Sequence, residues 1–169
     1  MHSTLVMTSS WWLASPPIDA WRLAADVRGW PRWWSAVADG VRTSREADFA
    51  SRAVPGPVSI WRNLAGWRLR LLVSSATGAP GSRIDMRIRG DLHGSATWLF
   101  APAQASGTEV ICRWELHVPG DPGRWLGLFT QLMFERRHVA RMRECARGMG
   151  AALGCAVRPL REWSGARRQ

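Results

Sequence analysis

The chain has 169 residues, a length typical of one domain, and hydrophobic residues make up 46% of it. No apolar run approaches the roughly 18–20 residues of a membrane-spanning helix, and the N-terminus does not fit a secretory signal peptide. The net charge is +10, all 23 basic residues are Arg, and there are twelve Trp and no Tyr. These features predict a globular, cytoplasmic protein without a transmembrane segment.

The abundance of Arg suggests contact with phosphate, because the guanidinium group binds phosphate in a bidentate manner. However, Lys and Tyr are absent and Asn occurs once, which a GC-rich genome would also produce. Nine Arg and two Glu between residues 136 and 169 account for +7 of the net charge of +10. The sequence therefore does not favour nucleic acid as a partner, and it leaves open a weak contact with a membrane surface.

The three cysteines, Cys112, Cys145 and Cys155, form no CxxC pair and have no histidine at metal-ligand spacing. They are interpreted as reduced thiols, so no metal site is predicted. No phosphate-binding loop, dinucleotide fingerprint, HExxH stretch or nucleophile elbow is present, so no cofactor is expected.

The first part of the chain predicts one strand followed by two short helices. Residues 5–13 are rich in Val, Thr and Trp, which is typical of a strand. Ser15 is a candidate N-cap for a helix that starts at Pro16 or Pro17 and extends to about Val27. A second short helix is predicted at 30–34, and a weaker strand from Ala36 onward.

The middle of the chain alternates between apolar and polar residues. This period of two occurs at 67–73, 83–89 and 110–118, and the segments between these stretches contain Gly, Pro and Asp. One face of each strand is therefore apolar and the other is polar. The pattern predicts an antiparallel sheet with one buried and one solvated face.

After residue 123 the apolar period becomes helical. At 100° per residue, one arc collects the apolar residues of an amphipathic helix of about 30 residues that ends near Gly154. Its members are Trp125, Leu128, Phe129, Leu132, Val139, Met142, Ala146, Met149 and Leu153. Residues 1–155 are predicted to form one domain, and the basic segment 156–169 a flexible tail.

This order of elements predicts an α+β fold in which a curved antiparallel sheet grips a long C-terminal helix, with two short helices after the first strand. The gap between the sheet and the helix is the expected ligand site, a concave apolar cavity.

Several motifs resemble one known family. They are Pro17-Ile-Asp-Ala-Trp21, Trp30-Pro-Arg-Trp-Trp34, Gly90-Asp-Leu-His-Gly94 with Trp98, and Phe134-Glu-Arg-Arg-His138 with Met142. Over residues 5–155 the chain resembles the SRPBCC superfamily, the START-like helix-grip proteins, and within it the polyketide cyclase/dehydrase and lipid-transport group. The resemblance implies a helix-grip fold with a cavity but no shared catalytic motif. Aromatases of this fold use Arg and Tyr in the cavity, and this chain has no Tyr.

The predicted ligand-binding residues face the expected cavity. On the strands and the second short helix they are Trp34, Trp67, Leu69, Leu71, Ile84, Met86, Ile88, Trp98, Phe100, Cys112 and Trp114. On the long helix they are Phe129, Leu132, Glu135, Val139 and Met142. The indoles are interpreted either as cavity lining for a flat ligand or as core.

Two polar residues of the long helix are candidates for chemistry. Glu135 lies near the centre of the apolar arc, where a carboxylate must be paired, protonated or facing a wet cavity. It is the candidate catalytic acid or base, and the alternatives are a helix irregularity near Phe134 or a salt bridge to an inward Arg such as Arg62. His138 lies at the edge of the arc, where a proton shuttle and a structural hydrogen bond are the two interpretations.

Three functions remain from the sequence. The first is binding of a small hydrophobic molecule, of lipid, quinone or polyketide type, in the cavity. The second is a polyketide aromatase/cyclase or dehydratase that uses Glu135, so whether the protein is an enzyme is left open. The third is a basic interaction module formed by residues 136–169. The sequence determines neither the ligand nor the oligomeric state.

Overall fold

The computed structural model describes residues 3–38, 58–62, 68–117 and 128–168. Strand β1 (Ser3–Leu13) precedes α1 (Pro17–Ala25), a 3₁₀ helix (Val27–Arg32) and α2 (Ser35–Ala38). Strands β2 (Val58–Arg62), β3 (Arg68–Thr77), β4 (Arg83–Gly90), β5 (His93–Ala103) and β6 (Gly107–His117) follow. Helix α3 (Leu128–Leu153) and strand β7 (Val157–Arg168) are the last described elements.

The seven strands form one antiparallel sheet in the order β2-β3-β4-β5-β6-β1-β7. Helix α3 and the N-terminal helices pack on one face of this sheet, and the hydrophobic core lies between them. The predicted α+β helix-grip fold is therefore confirmed. No helix among the described residues has the length and apolar character needed to cross a membrane.

The strands bury the residues that the alternation predicted to face inward. The buried strand positions of the middle sheet are Leu71, Val73, Ile84, Met86, Ile88, Val110, Cys112, Trp114 and Leu116. Their neighbours Arg87 and Arg113 are exposed on the other face. In strand β5 the two faces differ less in polarity, because Leu99 on the outward face is also apolar and is 38% exposed.

The start of the helical segment differs from the prediction. Pro16 rather than Ser15 occupies the N-cap position of α1, and no side chain caps the helix. Ser15 is buried, and its carbonyl oxygen accepts a hydrogen bond of 2.6 Å from Thr108 Oγ1. The weaker strand expected from Ala36 is wrong for the described part, since Ser35–Ala38 is helical and residues 39–57 lie outside the described residues.

Helix α3 ends as predicted, whereas the segment after it does not. Gly154 has φ of 63°, a left-handed conformation that suits glycine at a helix C-terminus. The flexible tail expected from residue 156 is corrected to strand β7, which pairs with β1. Pro159 and Gly165 are unfavourable in a regular strand, but pairing with the edge of β1 satisfies backbone groups in a way that local propensity does not reveal.

A cluster of tryptophans joins β1, β5 and the 3₁₀ helix. The Trp98 ring stacks on Trp30 at 5.7 Å between centroids and 25° between planes. The Trp11 ring meets the Trp98 ring edge-on at 5.9 Å, and Trp34 lies 5.2 Å from Trp30. All four side chains are buried. Aromatic pairs at these distances stabilise the fold beyond the area that they bury.

We expect Trp98→Ala to lower the free energy of unfolding by about 3–5 kcal/mol, because Trp98 is fully buried and its removal leaves a large cavity. The matched control is Leu99→Ala on the same strand, which should cost about 1 kcal/mol or less because its side chain is 38% exposed. Denaturant unfolding measures both variants. Equal losses would contradict the role of the tryptophan cluster in the core.

Candidate functional site

The register of the strands arranges the buried face into rows of directly opposed residues. One row is Leu5, Leu116, Gly94 and Ile88. The next row is Met7, Trp114, Ala96 and Met86. The third row is Ser9, Cys112, Trp98 and Ile84. The face therefore has a Gly94 end, formed by the first two rows, and a Trp98 end, which starts at the third row.

The Trp98 end is occupied by protein side chains. Trp30 and Trp34 reach the sheet from the helical segment and pack on Trp98. The indole N–H of Trp34 donates to the carbonyl oxygen of Arg141 at 3.2 Å, which ties this cluster to α3. Because large rings fill this end, a ligand would find little space beyond the third row.

Helix α3 runs from the Gly94 end toward the Trp98 end. Its C-terminal half approaches the tryptophans so closely that a Cβ at Gly148 would collide with the carbonyl oxygen of Trp33. Beyond the helix, Ala14 N–H donates to the carbonyl oxygen of Ala156 at 2.9 Å. Earlier in the helix, the His138 ring meets Trp114 edge-on at 6.1 Å. The residues before His138 therefore extend toward the Gly94 end.

The Gly94 end has small residues at the centre of strand β5. Gly94 has no side chain between Leu116 and Ile88, and Ala96 lies between Trp114 and Met86. Large apolar residues thus surround two positions that fill little volume. This part of the apolar face, the Gly94 end, is the candidate ligand site.

His138 lies at the border between the two ends. Its side chain is buried, and burial lowers its pKa from 6.5 to about 3, since a charged ring would lose its hydration. At neutral pH the imidazole is therefore uncharged. A proton shuttle near pH 7, one of the two interpretations of this residue, needs a pKa close to neutrality. The low pKa favours a positioning or packing role.

The thiols near the site are protonated. Burial raises the pKa of Cys112 on β6 and of Cys145 on α3, and the proximity of Cys112 raises that of Cys145 further. The indole N–H of Trp114 donates to Cys112 Sγ at 3.0 Å. Because the thiolate is the nucleophilic form, neither cysteine is suited to covalent catalysis in this environment.

The structure places most of the predicted ligand-binding residues in the interior. The buried members are Trp34, Leu71, Ile84, Met86, Ile88, Trp98, Phe100, Cys112, Trp114 and Met142, and Val139 is half-buried. Trp67 lies outside the described residues. Leu69 is in β3, and Phe129, Leu132 and Glu135 are in α3, but their side chains lie outside the described part of the chain. The side chains of the predicted salt bridge between Glu135 and Arg62 also lie outside the described part of the chain.

Some residues that shape the candidate site were not predicted. Gly94 lies in the Gly90–Gly94 motif and Ala96 in the inward period of β5, but neither has a side chain whose chemistry would single it out as a site residue. Ser9 is buried in β1, and its Oγ has no hydrogen-bond partner among the described residues. Trp98 Nε1 is in the same situation. Ser9 could have been predicted from the sequence, because it alternates with the apolar Met7 and Trp11 in the first strand.

Within the described residues, no three His, Cys, Asp or Glu side chains are grouped so that they could hold a metal ion.

Residues 6–153 match the family described as polyketide cyclase / dehydrase and lipid transport. None of the curated protein sequences compared with this chain matches it significantly. The match includes most of β1, strands β2 to β6, the short helices and α3, and it ends before β7.

Solved structures share the architecture. TTHA0849 from Thermus thermophilus has a TM-score of 0.62 at 19% identity, with 87% of this chain and 98% of that chain covered. A START superfamily protein from Mycobacterium smegmatis also has a TM-score of 0.62, at 10% identity and 89% and 97% coverage. StfQ, a di-domain ARO/CYC of the steffimycin biosynthetic pathway, has 0.59 at 16% identity, with 88% of this chain and 50% of that chain covered. At these identities the likeness concerns the fold.

We expect the stability of the protein to fall as the pH drops from about 6.5 toward 3, with His138 as one cause. The unfolded chain binds a proton at this ring near pH 6.5, whereas the folded chain resists it until about pH 3. The contribution of His138 to the free energy of unfolding is complete above pH 6.5. Below that pH the free energy of unfolding falls by up to ~1.4 kcal/mol per pH unit.

Denaturant unfolding of the parent protein and of His138→Gln between pH 7 and 4.5 measures this effect. The parent should lose more stability than the variant, because glutamine cannot be protonated there, and other titrating groups cancel in the comparison. A His117→Gln variant, altered at a half-buried ring, is the control. Identical pH slopes in the parent and His138→Gln would contradict the buried, neutral imidazole.

Proposed function

Because the chain belongs to the polyketide cyclase / dehydrase and lipid transport family, we propose that it binds a small hydrophobic, ring-containing molecule between the sheet and α3. The ligand is of lipid, quinone or polyketide type. The observation that carries the proposal is the Gly94 end of the apolar sheet face, where Gly94 and Ala96 lie among large apolar residues in the strand register. The closed Trp98 end sets the limit of the bound molecule.

Desolvation supplies the binding energy. Removal of ~250 Å² of apolar ligand surface from water contributes ~6 kcal/mol before the cost of association is subtracted. Trp114 and Met86 flank Ala96 and offer a rigid indole and an adaptable thioether to a flat ring system. Such a lining discriminates by shape and leaves the polar end of the ligand to other groups.

Two polar groups in the third row can orient that polar end. Ser9 Oγ and Trp98 Nε1 are buried, and neither has a hydrogen-bond partner among the described residues. They occupy the register positions on either side of Cys112. A buried donor without a partner costs about 1–3 kcal/mol, so a ligand oxygen that reaches this row would gain that energy.

We expect Ala96→Met to weaken ligand binding about tenfold or more, because the larger side chain would occupy space that the ligand needs at the Gly94 end. The matched control is Ser95→Met, which adds a methionine one residue earlier, on the exposed face of the same strand. The ligand is first identified by native mass spectrometry of whatever co-purifies with the protein, and its affinity is then measured by calorimetry.

Thermal unfolding of both variants without ligand separates a filled site from a damaged fold. Equal affinities of Ala96→Met and Ser95→Met would move the site away from the Gly94 end. If no lipid, quinone or polyketide of a panel changes the melting temperature of the parent protein, the binding function itself is contradicted.

The second candidate function is a polyketide cyclase or dehydratase. Two observations favour it, the description of the family and the fold shared with StfQ, an ARO/CYC protein. Ring closure of such a chain requires a base that removes a proton from a carbon between two carbonyls, and loss of water requires an acid. Glu135 lies one helical turn before His138 in α3 and is the candidate for this role.

We expect Glu135→Gln to keep ligand affinity within about threefold and to lose turnover of a linear poly-β-ketone by about a hundredfold or more. The amide has nearly the same shape but neither accepts nor releases the proton. Binding is measured by calorimetry and turnover by mass spectrometry of the cyclised product. Unchanged turnover would remove Glu135 from the reaction, and absence of turnover in the parent protein would leave binding as the function.

A further inference from the structure

Two histidines face each other on the side of the sheet opposite the candidate ligand site. His93 on β5 and His117 on β6 are directly opposed in the strand register. Their ring centroids are 5.7 Å apart, with 41° between the ring planes. His93 is exposed and His117 is half-buried, whereas their neighbours Leu92 and Leu116 are buried. The pair is therefore accessible from solvent and independent of the apolar interior.

A hydroxyl group orients one of the two rings. Thr4 Oγ1 on β1 lies 3.0 Å from His117 Nδ1. When the hydroxyl oxygen accepts the Nδ1 proton, the lone pair of His117 is on Nε2. Metal-binding imidazoles commonly have this arrangement, in which the second ring nitrogen donates a hydrogen bond to a neighbouring oxygen.

The distance between the rings suits a shared metal ion. Metal–nitrogen bonds of ~2.0–2.1 Å place the centroids of two imidazoles on one metal roughly 5 Å apart. The observed distance between the centroids is 5.7 Å. A small rotation of the exposed His93 side chain would bring the two rings to the distance that a shared metal requires. The strand pairing holds the two Cα atoms opposite each other, so little backbone entropy is lost when the metal binds.

We propose that His93 and His117 form a surface site for a divalent transition metal, with Thr4 as a positioning residue. Imidazole nitrogen suits Zn²⁺, Ni²⁺ and Cu²⁺, and it does not suit Mg²⁺ or Ca²⁺, which prefer oxygen. Water completes the coordination. The metal joins β5 to β6 and, through the hydrogen bond of Thr4, also to β1.

Calorimetric titration with Zn²⁺ tests the site. The full chain carrying His2→Ala serves as the reference, because His2 lies outside the described residues and is another potential ligand. We expect one Zn²⁺ per chain and a loss of affinity of about tenfold or more in both His93→Ala and His117→Ala. The double variant should bind at least as weakly as either single variant, and its loss of affinity should be smaller than the product of the two single losses, because both rings hold the same ion. Ser95→Ala, an exposed position of β5, is the matched control.

The role of Thr4 is tested by a conservative pair of substitutions. Thr4→Val, which removes the hydroxyl, should weaken Zn²⁺ binding about tenfold, and Thr4→Ser should restore it. In nitrogen NMR spectra, Zn²⁺ should shift Nε2 of His117 and one ring nitrogen of His93, while Nδ1 of His117 stays protonated. Unchanged affinity in His93→Ala and His117→Ala, or shifts at neither ring, would overturn the proposal. Circular dichroism of each variant establishes that the fold is retained.

Discussion

The burial of Trp98 is the constraint on which the rest of the structure depends. An antiparallel sheet with one apolar face needs a cover, and Trp98 is at the position where the two parts of the cover meet. Trp30 and Trp34 reach it from the short helices, and the hydrogen bond from Trp34 to the backbone of Arg141 attaches α3 to the same cluster. The orientation of α3 over the sheet follows from these contacts.

That orientation divides the interior into two ends with different properties. At the Trp98 end, large rings occupy the space between sheet and helix, and rigidity results. At the other end, Gly94 and Ala96 place little side-chain volume among large apolar residues of the sheet. His138, buried and neutral, lies between them against Trp114. A protein that closes one end with indoles can hold a hydrophobic ligand at the other without losing its core.

The candidate site was predicted only in part. Period-two alternation identified Ile84, Met86, Cys112 and Trp114 as inward-facing, because each strand repeats the same geometry and needs no knowledge of its neighbours. The alternation could not tell which inward residues are core, since that depends on what packs opposite them. Trp98 was predicted as cavity lining, and its ring lies within the tryptophan cluster. Gly94 and Ala96 acquire their role only from the large residues that the register places beside them.

The sequence alone determined the fold class, the inward faces of the strands and the end of α3 at Gly154, because these follow from local periodicity and from backbone preferences. Tertiary structure decided what depends on distant partners. Residues 157–168 form β7 because the edge of β1 offers them hydrogen bonds, although the sequence predicted a flexible tail. His93 and His117 are far apart in sequence and become neighbours through strand pairing. Register is a property of the whole sheet, and a local pattern does not contain it.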